Sequence, residues 1–301
     1  MGIVKLRRFD GNPILRADPA NDWEAQNVSN AGAVIHNGKV HILYRAEGYE
    51  LRDPPKGEWP HTRLGLAISQ DGYHIDQRFT TPALDHEPHG GFGEHGIQDP
   101  RISKIDDTYW IVSALVSRYG DRVHLSSTKD FKTFRKHGLI MPEYEQRTCG
   151  LFPAKVDRRY ALLHRWLPNM WLSYSTDLKT WTDSRCIWQT RFGTWYDLKL
   201  GLGAPPIRQD DAWLLFWHAR GTDGMYRLGV MWLDLADPSK VLRVQDEPIL
   251  ECETDYERDG FFPNVVYTCG AVELNGEYLV YYGCADRCLA VASVPVDQCC
   301  L

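Results

Sequence analysis

The chain has 301 residues, 25% of them charged and 43% hydrophobic, a balance that excludes wholesale disorder. A net charge of −6 argues against a nucleic-acid binder working through bulk charge. No run approaches the roughly eighteen consecutive apolar residues of a membrane span, and the aromatic load of 11 Trp, 15 Tyr and 10 Phe suits packed sheets or sugar-facing rings.

The N-terminus, Met1-Gly2-Ile3-Val4-Lys5-Leu6-Arg7-Arg8, carries basic residues and no apolar run of signal-peptide length, so a cytoplasmic location is expected. The eight Cys show no C-x-x-C spacing, and Cys284 with Cys288 lack the partner ligands of a zinc site. They read as reduced packing residues, and no metal is expected.

Along the chain one phrase recurs: an apolar strand, a polar turn, a second apolar strand, then a strand closing on Ser/Thr-x-Asp. The first copy has Gly32–Ile35, the turn Asn37-Gly38, Val40–Tyr44, and Leu64–Ser69 ahead of Asp71. The second has Arg101–Ile105, Asp106-Asp107, Tyr109–Val112, and Val123–Thr128 ahead of Asp130. The third has Ala154–Val156, Tyr160–Leu163, and Trp171–Ser175 ahead of Asp177. A fourth starts near Pro206-Ile207, turns at Asp210-Asp211, and continues Trp213–Trp217 and Leu228–Trp232. The fifth runs Gly270–Leu274, Asn275-Gly276, Tyr278–Tyr282 and Leu289–Ser293. Asn-Gly and Asp-Asp between β-rich runs are hairpin signals. Units of about 50 residues, each a small sheet unable to bury its own faces, predict an all-β, five-bladed β-propeller. The whole chain, 1–301, is expected to form that one catalytic domain.

Polar residues fall at matching places in the repeats. Arg45, His164-Arg165, His218 and Asp286 follow the second strands of four copies. Asn30, Asp99, Arg147 and Lys199 stand where four copies begin. Arg147, Arg165, Lys199 and His218 form a basic set in an acidic protein, which asks for an anion of phosphate size. Asn30, Arg45, Asp99 and Asp286 suit a hydroxyl-rich sugar ring.

The motifs Asn30-Ala31-Gly32-Ala33, Leu43-Tyr44-Arg45-Ala46, Gln98-Asp99-Pro100-Arg101, Leu151-Phe152-Pro153, Leu163-His164-Arg165, Tyr226-Arg227-Leu228-Gly229, Asp237-Pro238-Ser239-Lys240 and Pro263-Asn264-Val265-Val266 come in order. Together they resemble glycoside hydrolase family 130, the mannoside phosphorylases and related β-mannosidases, whose members are five-bladed propellers. The resemblance implies an inverting reaction with one protein carboxylate, Asp99, as the acid. Asp99 would protonate the 3-hydroxyl of the bound mannose, which relays a proton to the glycosidic oxygen. Inorganic phosphate, a co-substrate rather than a cofactor, would attack C1 in place of the second carboxylate of an inverting pair. By the same matching, Arg147, Arg165, Lys199, His218 and Tyr226 hold phosphate, and Asn30, Arg45 and Asp286 hold mannose. Trp166 and Trp195 are expected on the acceptor side. No cofactor, nucleic acid or membrane partner is implied, and a homo-oligomer is compatible with the pattern.

The expected substrates are a β-mannooligosaccharide with phosphate or, in reverse, mannose 1-phosphate, with β-1,2 linkage favoured over β-1,4. Retention of Arg147 and Arg165 favours phosphorolysis over a β-1,2-mannosidase. The rival readings are a GDP-mannose-dependent mannosyltransferase building a mannan and a non-enzymatic glycan-binding propeller.

Overall fold

The computed structural model of the protein describes residues 2–49, 60–85 and 91–301. Its strands form five small antiparallel sheets, the blades of a five-bladed propeller. Blade I holds Asn27–His36, Lys39–Gly48, His61–Ser69 and Gln77–Arg78. Blade II holds Ile97–Ile105, Thr108–Leu115, Arg122–Thr128 and Phe134–Ile140. Blade III holds Gly150–Leu151, Tyr160–Trp166, Asn169–Ser175 and Thr182–Trp188. Blade IV holds Lys199–Leu202 with Ile207–Arg208, then Ala212–Arg220, Tyr226–Asp234 and Val241–Val244. Blade V holds Val266–Leu274, Glu277–Cys284 and Cys288–Pro295.

Five apolar layers between neighbouring blades make the core. Successive side chains of a strand point to opposite faces, and here each face meets a different blade. Leu214 and Phe216 therefore pack toward blade V, while Trp213, Leu215 and Trp217 pack toward blade III. Burial on both faces explains why Trp213–Trp217 is apolar without interruption.

The turns follow the local chemistry. Asn37-Gly38 and Asn275-Gly276 both take positive φ at both residues, as a tight hairpin of matching twist requires. The Ser/Thr-x-Asp phrase is a turn between third and fourth strands. Asp71, Asp130 and Asp177 each accept two backbone N–H bonds at 2.8–2.9 Å from the residues two and three positions on. The preceding Ser69, Thr128 and Ser175 hydroxyls each accept a third at 2.8–3.0 Å.

Three expectations need correction. Blade III begins at Gly150–Leu151, not at Ala154–Val156, where only an isolated bridge joins Val156 and Arg159. Arg45, Arg165 and His218 lie within the second strands rather than after them, because those strands extend to Gly48, Trp166 and Arg220. The fifth blade is completed by the N-terminus, for Arg7–Arg8 and Leu15–Arg16 pair with Cys288–Pro295. Arg8 fastens this join through the buried Glu257 carboxylate at 2.8 Å, which also accepts from the Tyr282 hydroxyl at 3.0 Å. Among the described residues no helix is long and apolar enough to cross a membrane.

Candidate active site

At one end of the propeller, where first strands begin and second strands end, lies a cavity of about 280 Å³. Two β-bulges aim its central residues. Register slips between Ser29 and Ala31 in blade I, and between Gln98 and Arg101 in blade II. The residues lifted out, Asn30 and Asp99, take φ of 40° and 55°, a conformation Asn and Asp tolerate better than most. Asp99 holds it directly before Pro100, where a proline favours extended backbone, so local strain is concentrated at this carboxylate. The two side chains meet, with Asn30 Nδ2 donating to Asp99 Oδ1 at 2.8 Å. Gly283 permits this, because a Cβ there would collide with the Asn30 side chain.

Asp99 is buried, and Arg147 Nε donates to its Oδ2 at 3.1 Å. Arg45 Nη1 lies 3.5 Å from Oδ1. Burial pushes the Asp99 pKa up, but the charges of Arg147, Arg45 and Arg101 and the Asn30 hydrogen bond outweigh it. The carboxyl is therefore held below the usual aspartate range and is ionised in the free protein. Arg45 is itself clamped by Glu47 at 2.7 Å, Asp286 at 3.4 Å and Gln98 at 2.9 Å.

Blade origin divides the cavity in two. Blades V, I and II supply Asp286, Asn30, Arg45 and Asp99, a half rich in donors and acceptors. Blades III and IV, with the segment entering blade III, supply Arg147, Arg165, Lys199 and Tyr226. Among the described residues no ion pair is formed by Arg165, which donates weakly to Leu200 O at 3.5 Å, or by Lys199, which lies over the Tyr226 ring at 5.5 Å. Two cations facing a cavity without carboxylate partners form an anion-binding surface.

The structure thus brings Asn30, Arg45, Asp99, Arg147, Arg165, Lys199, Tyr226 and Asp286 to one cavity. Three expected residues do not line it. His218 lies behind Tyr267, ring centroids 4.0 Å apart, in a space kept open because residue 201 is glycine. Burial, reinforced by Arg101, Arg165 and Lys199, drives its pKa well down, so it supports the site as a neutral imidazole. Trp195 is stacked on Trp217 at 4.7 Å and donates to Asp246 O, which commits it to packing between strands. Trp166 turns away from the cavity against Tyr144, His164 and Trp171. Its neighbour Leu167, 65% exposed, stands at the cavity in its place.

Asp121, Glu145, Phe262 and Tyr267 also line the cavity and were missed. Asp121 lies 3.6 Å from Arg147, and burial raises its pKa. Tyr267 directly follows the Pro263–Val266 motif, and Glu145 stands two residues before Arg147, so proximity to recognised motifs was the available signal.

Comparison with known proteins bears on this geometry. The profile of glycoside hydrolase family 130, described as beta-1,4-mannooligosaccharide phosphorylase, matches residues 5–300. A 1,2-beta-oligomannan phosphorylase of Thermoanaerobacter sp. (strain X514) is 37% identical over 293 residues, covering 96% of this chain and 97% of that protein. A beta-1,2-mannobiose phosphorylase of the same organism is also 37% identical, covering 98% and 99%. The solved structure of a beta-1,2-mannobiose phosphorylase from Listeria innocua, in complex with beta-1,2-mannobiose, superposes with a TM-score of 0.87 at 27% identity and covers 97% of each chain.

Proposed function

The chain belongs to glycoside hydrolase family 130, and from that premise we propose that it is an inverting β-mannoside phosphorylase acting on β-1,2-linked mannooligosaccharides. One observation carries the reading: a buried carboxylate, Asp99, stands between a sugar-suited half and a half whose cations Arg165 and Lys199 have no ion pair among the described residues. The family's printed description names β-1,4 substrates, whereas both relatives at 37% identity are named for β-1,2 substrates, which supports the β-1,2 linkage. All five blades contribute to the cavity, so we read them as one catalytic domain.

In this reading Asn30, Arg45 and Asp286 orient the mannose. Arg147, Arg165, Lys199 and Tyr226 hold phosphate on the face opposite the leaving group. Asp99 gives its proton to the mannose 3-hydroxyl as that hydroxyl passes its own to the glycosidic oxygen. A phosphate oxygen forms the new bond to C1 as the C1–oxygen bond breaks, leaving α-mannose 1-phosphate and a shortened acceptor. Asp99 is a carboxylate in the free protein, so a proton must arrive with the substrates. Phosphate drawing Arg147 toward itself weakens the contact that keeps Asp99 ionised. No cofactor takes part, and the net reaction is mannosyl transfer to phosphate.

The test is product analysis with β-1,2- and β-1,4-mannobiose in parallel, each with phosphate. Mannose 1-phosphate from the β-1,2 substrate is expected; release of free mannose alone sinks the proposal. Asp99→Asn should lower kcat roughly 10²–10⁴-fold while the protein still melts cooperatively. Hydrolysis is the second reading, because the Asp121 and Glu145 carboxyls also line the cavity and could activate water. Phosphate-independent turnover would favour it.

A further inference from the structure

Two carboxyls line the cavity beside the cations that face an incoming anion: Asp121 and Glu145. Asp121 immediately precedes Arg122, the first residue of the third strand of blade II. Its backbone is held in place, since its carbonyl accepts from Gln146 N at 3.1 Å and from Arg122 Nη1 at 2.9 Å. Its side chain is 19% exposed, and Arg147 Nη1 lies 3.6 Å from Oδ2, within ion-pair range but too far for a hydrogen bond. Among the described residues the Asp121 carboxylate accepts no hydrogen bond. Burial raises its pKa; the charges of Arg147 and Arg165 oppose the rise, and those of Asp99 and Glu145 add to it. Asp121 thus stands within electrostatic reach of both arginines of the anion-binding half. Residue 120 is glycine, and a Cβ there would meet the Glu145 carboxyl carbon at 2.8 Å, so the second carboxyl lies close behind the first.

An acid in this position is unfavourable by itself. It repels every anion that approaches Arg147 and Arg165, and its oxygens are unpaired in a partly buried place. A protonated oxyanion reverses the effect. Hydrogen phosphate carries a P–OH group that donates to a carboxylate, and hydrogen bonds of this O–H···O⁻ kind are among the strong ones. Sulfate has the same tetrahedral shape and the same double charge, and no proton to give.

We propose that Asp121 determines which oxyanion the site takes: it accepts the hydrogen of a protonated oxyanion and rejects one that has none. The proposal rests on the mannoside phosphorylase reading and adds how its co-substrate is told from sulfate. Arg147, Arg165 and Lys199 supply an attraction that any tetrahedral dianion feels. Asp121 supplies the discrimination, because a proton-free anion leaves its carboxylate unpaired against like charge.

Calorimetric titration of the protein with sodium phosphate and with sodium sulfate reads this selection without turnover. A mildly alkaline pH makes both anions chiefly dianions, so that only the proton differs. Wild-type protein is expected to bind phosphate about tenfold or more tightly than sulfate. Asp121→Asn keeps the shape and turns an amide N–H₂ toward sulfate, which should bring the two affinities within about threefold of each other. A residue that merely repels anions or holds Arg147 would change both affinities together and leave their ratio intact. Asp121→Ser, in case the Asn variant folds poorly, should lower the same ratio. Equal affinity for the two anions in the wild-type protein, a ratio that survives both substitutions, or a ratio lost in Glu145→Gln instead, overturns the role of Asp121. Binding of neither anion overturns the phosphorylase reading itself, and this proposal with it.

Discussion

Asp99 sits where burial and charge pull its proton affinity in opposite directions, and the arginines win. Its folded pKa is depressed, so its contribution to stability is present above the unfolded value and lost as pH falls through the folded one. For catalysis the sign reverses, because the acid form is needed and turnover must fall on the alkaline side. Asn30→Ala removes one of the influences that depress this pKa, so the alkaline limb of the kcat–pH profile should move up. An unmoved limb would show that Asn30 does not tune Asp99. Arg165→Ala should raise KM for phosphate roughly tenfold or more, leaving calorimetric binding of mannobiose without phosphate unchanged. Asn30, Asp99 and the arginines were legible because charged and amide residues recurred at matching places in the repeats. Trp166 and Trp195 do not line the cavity, and an aromatic residue looks the same in a sequence whether it faces a sugar or a neighbouring blade. Only the alternation that sends Leu167 to the cavity and Trp166 away from it tells them apart.

Among the elements, the Ser/Thr-x-Asp turns show how one local device builds several blades. In blade III the Ser175 hydroxyl accepts from Leu178 N at 2.9 Å, and the Asp177 carboxylate accepts from Lys179 and Thr180 N. Ser175→Ala strands the buried Leu178 N–H, and should cost about 1–2 kcal/mol in a denaturant titration, with little change in activity. The strand pattern of the blades was readable from the alternation of hairpin signals and apolar runs. The inner strand of blade III was not, since two residues, Gly150 and Leu151, are too short to leave a pattern. The bulges at Asn30 and Asp99 were also invisible, although both residues were chosen. A bulge is a mismatch between two strands, and neither strand alone records it.

Across the whole molecule, a net charge of −6 coexists with a cationic half-cavity, because blades III and IV concentrate Arg147, Arg165 and Lys199 at one place. Five blades were countable from the repeats, but the contribution of the N-terminus to blade V was not. Arg7–Arg8 and Leu15–Arg16 are too short to read as strands, and their partners lie at the other end of the sequence. Deleting residues 2–16 should expose the outer edge of Cys288–Pro295 and lower Tm, with increased aggregation on heating. A truncated protein with unchanged Tm would show the join to be dispensable. The same join bears on the order in which the chain folds. Ser293, the partner of Arg7, lies almost three hundred positions further along the sequence. Bringing two such distant segments together costs about 5 kcal/mol of loop entropy. The join is thus a contact of very high sequence separation, whose closure must come before it contributes anything, and that places it among the slow steps of folding.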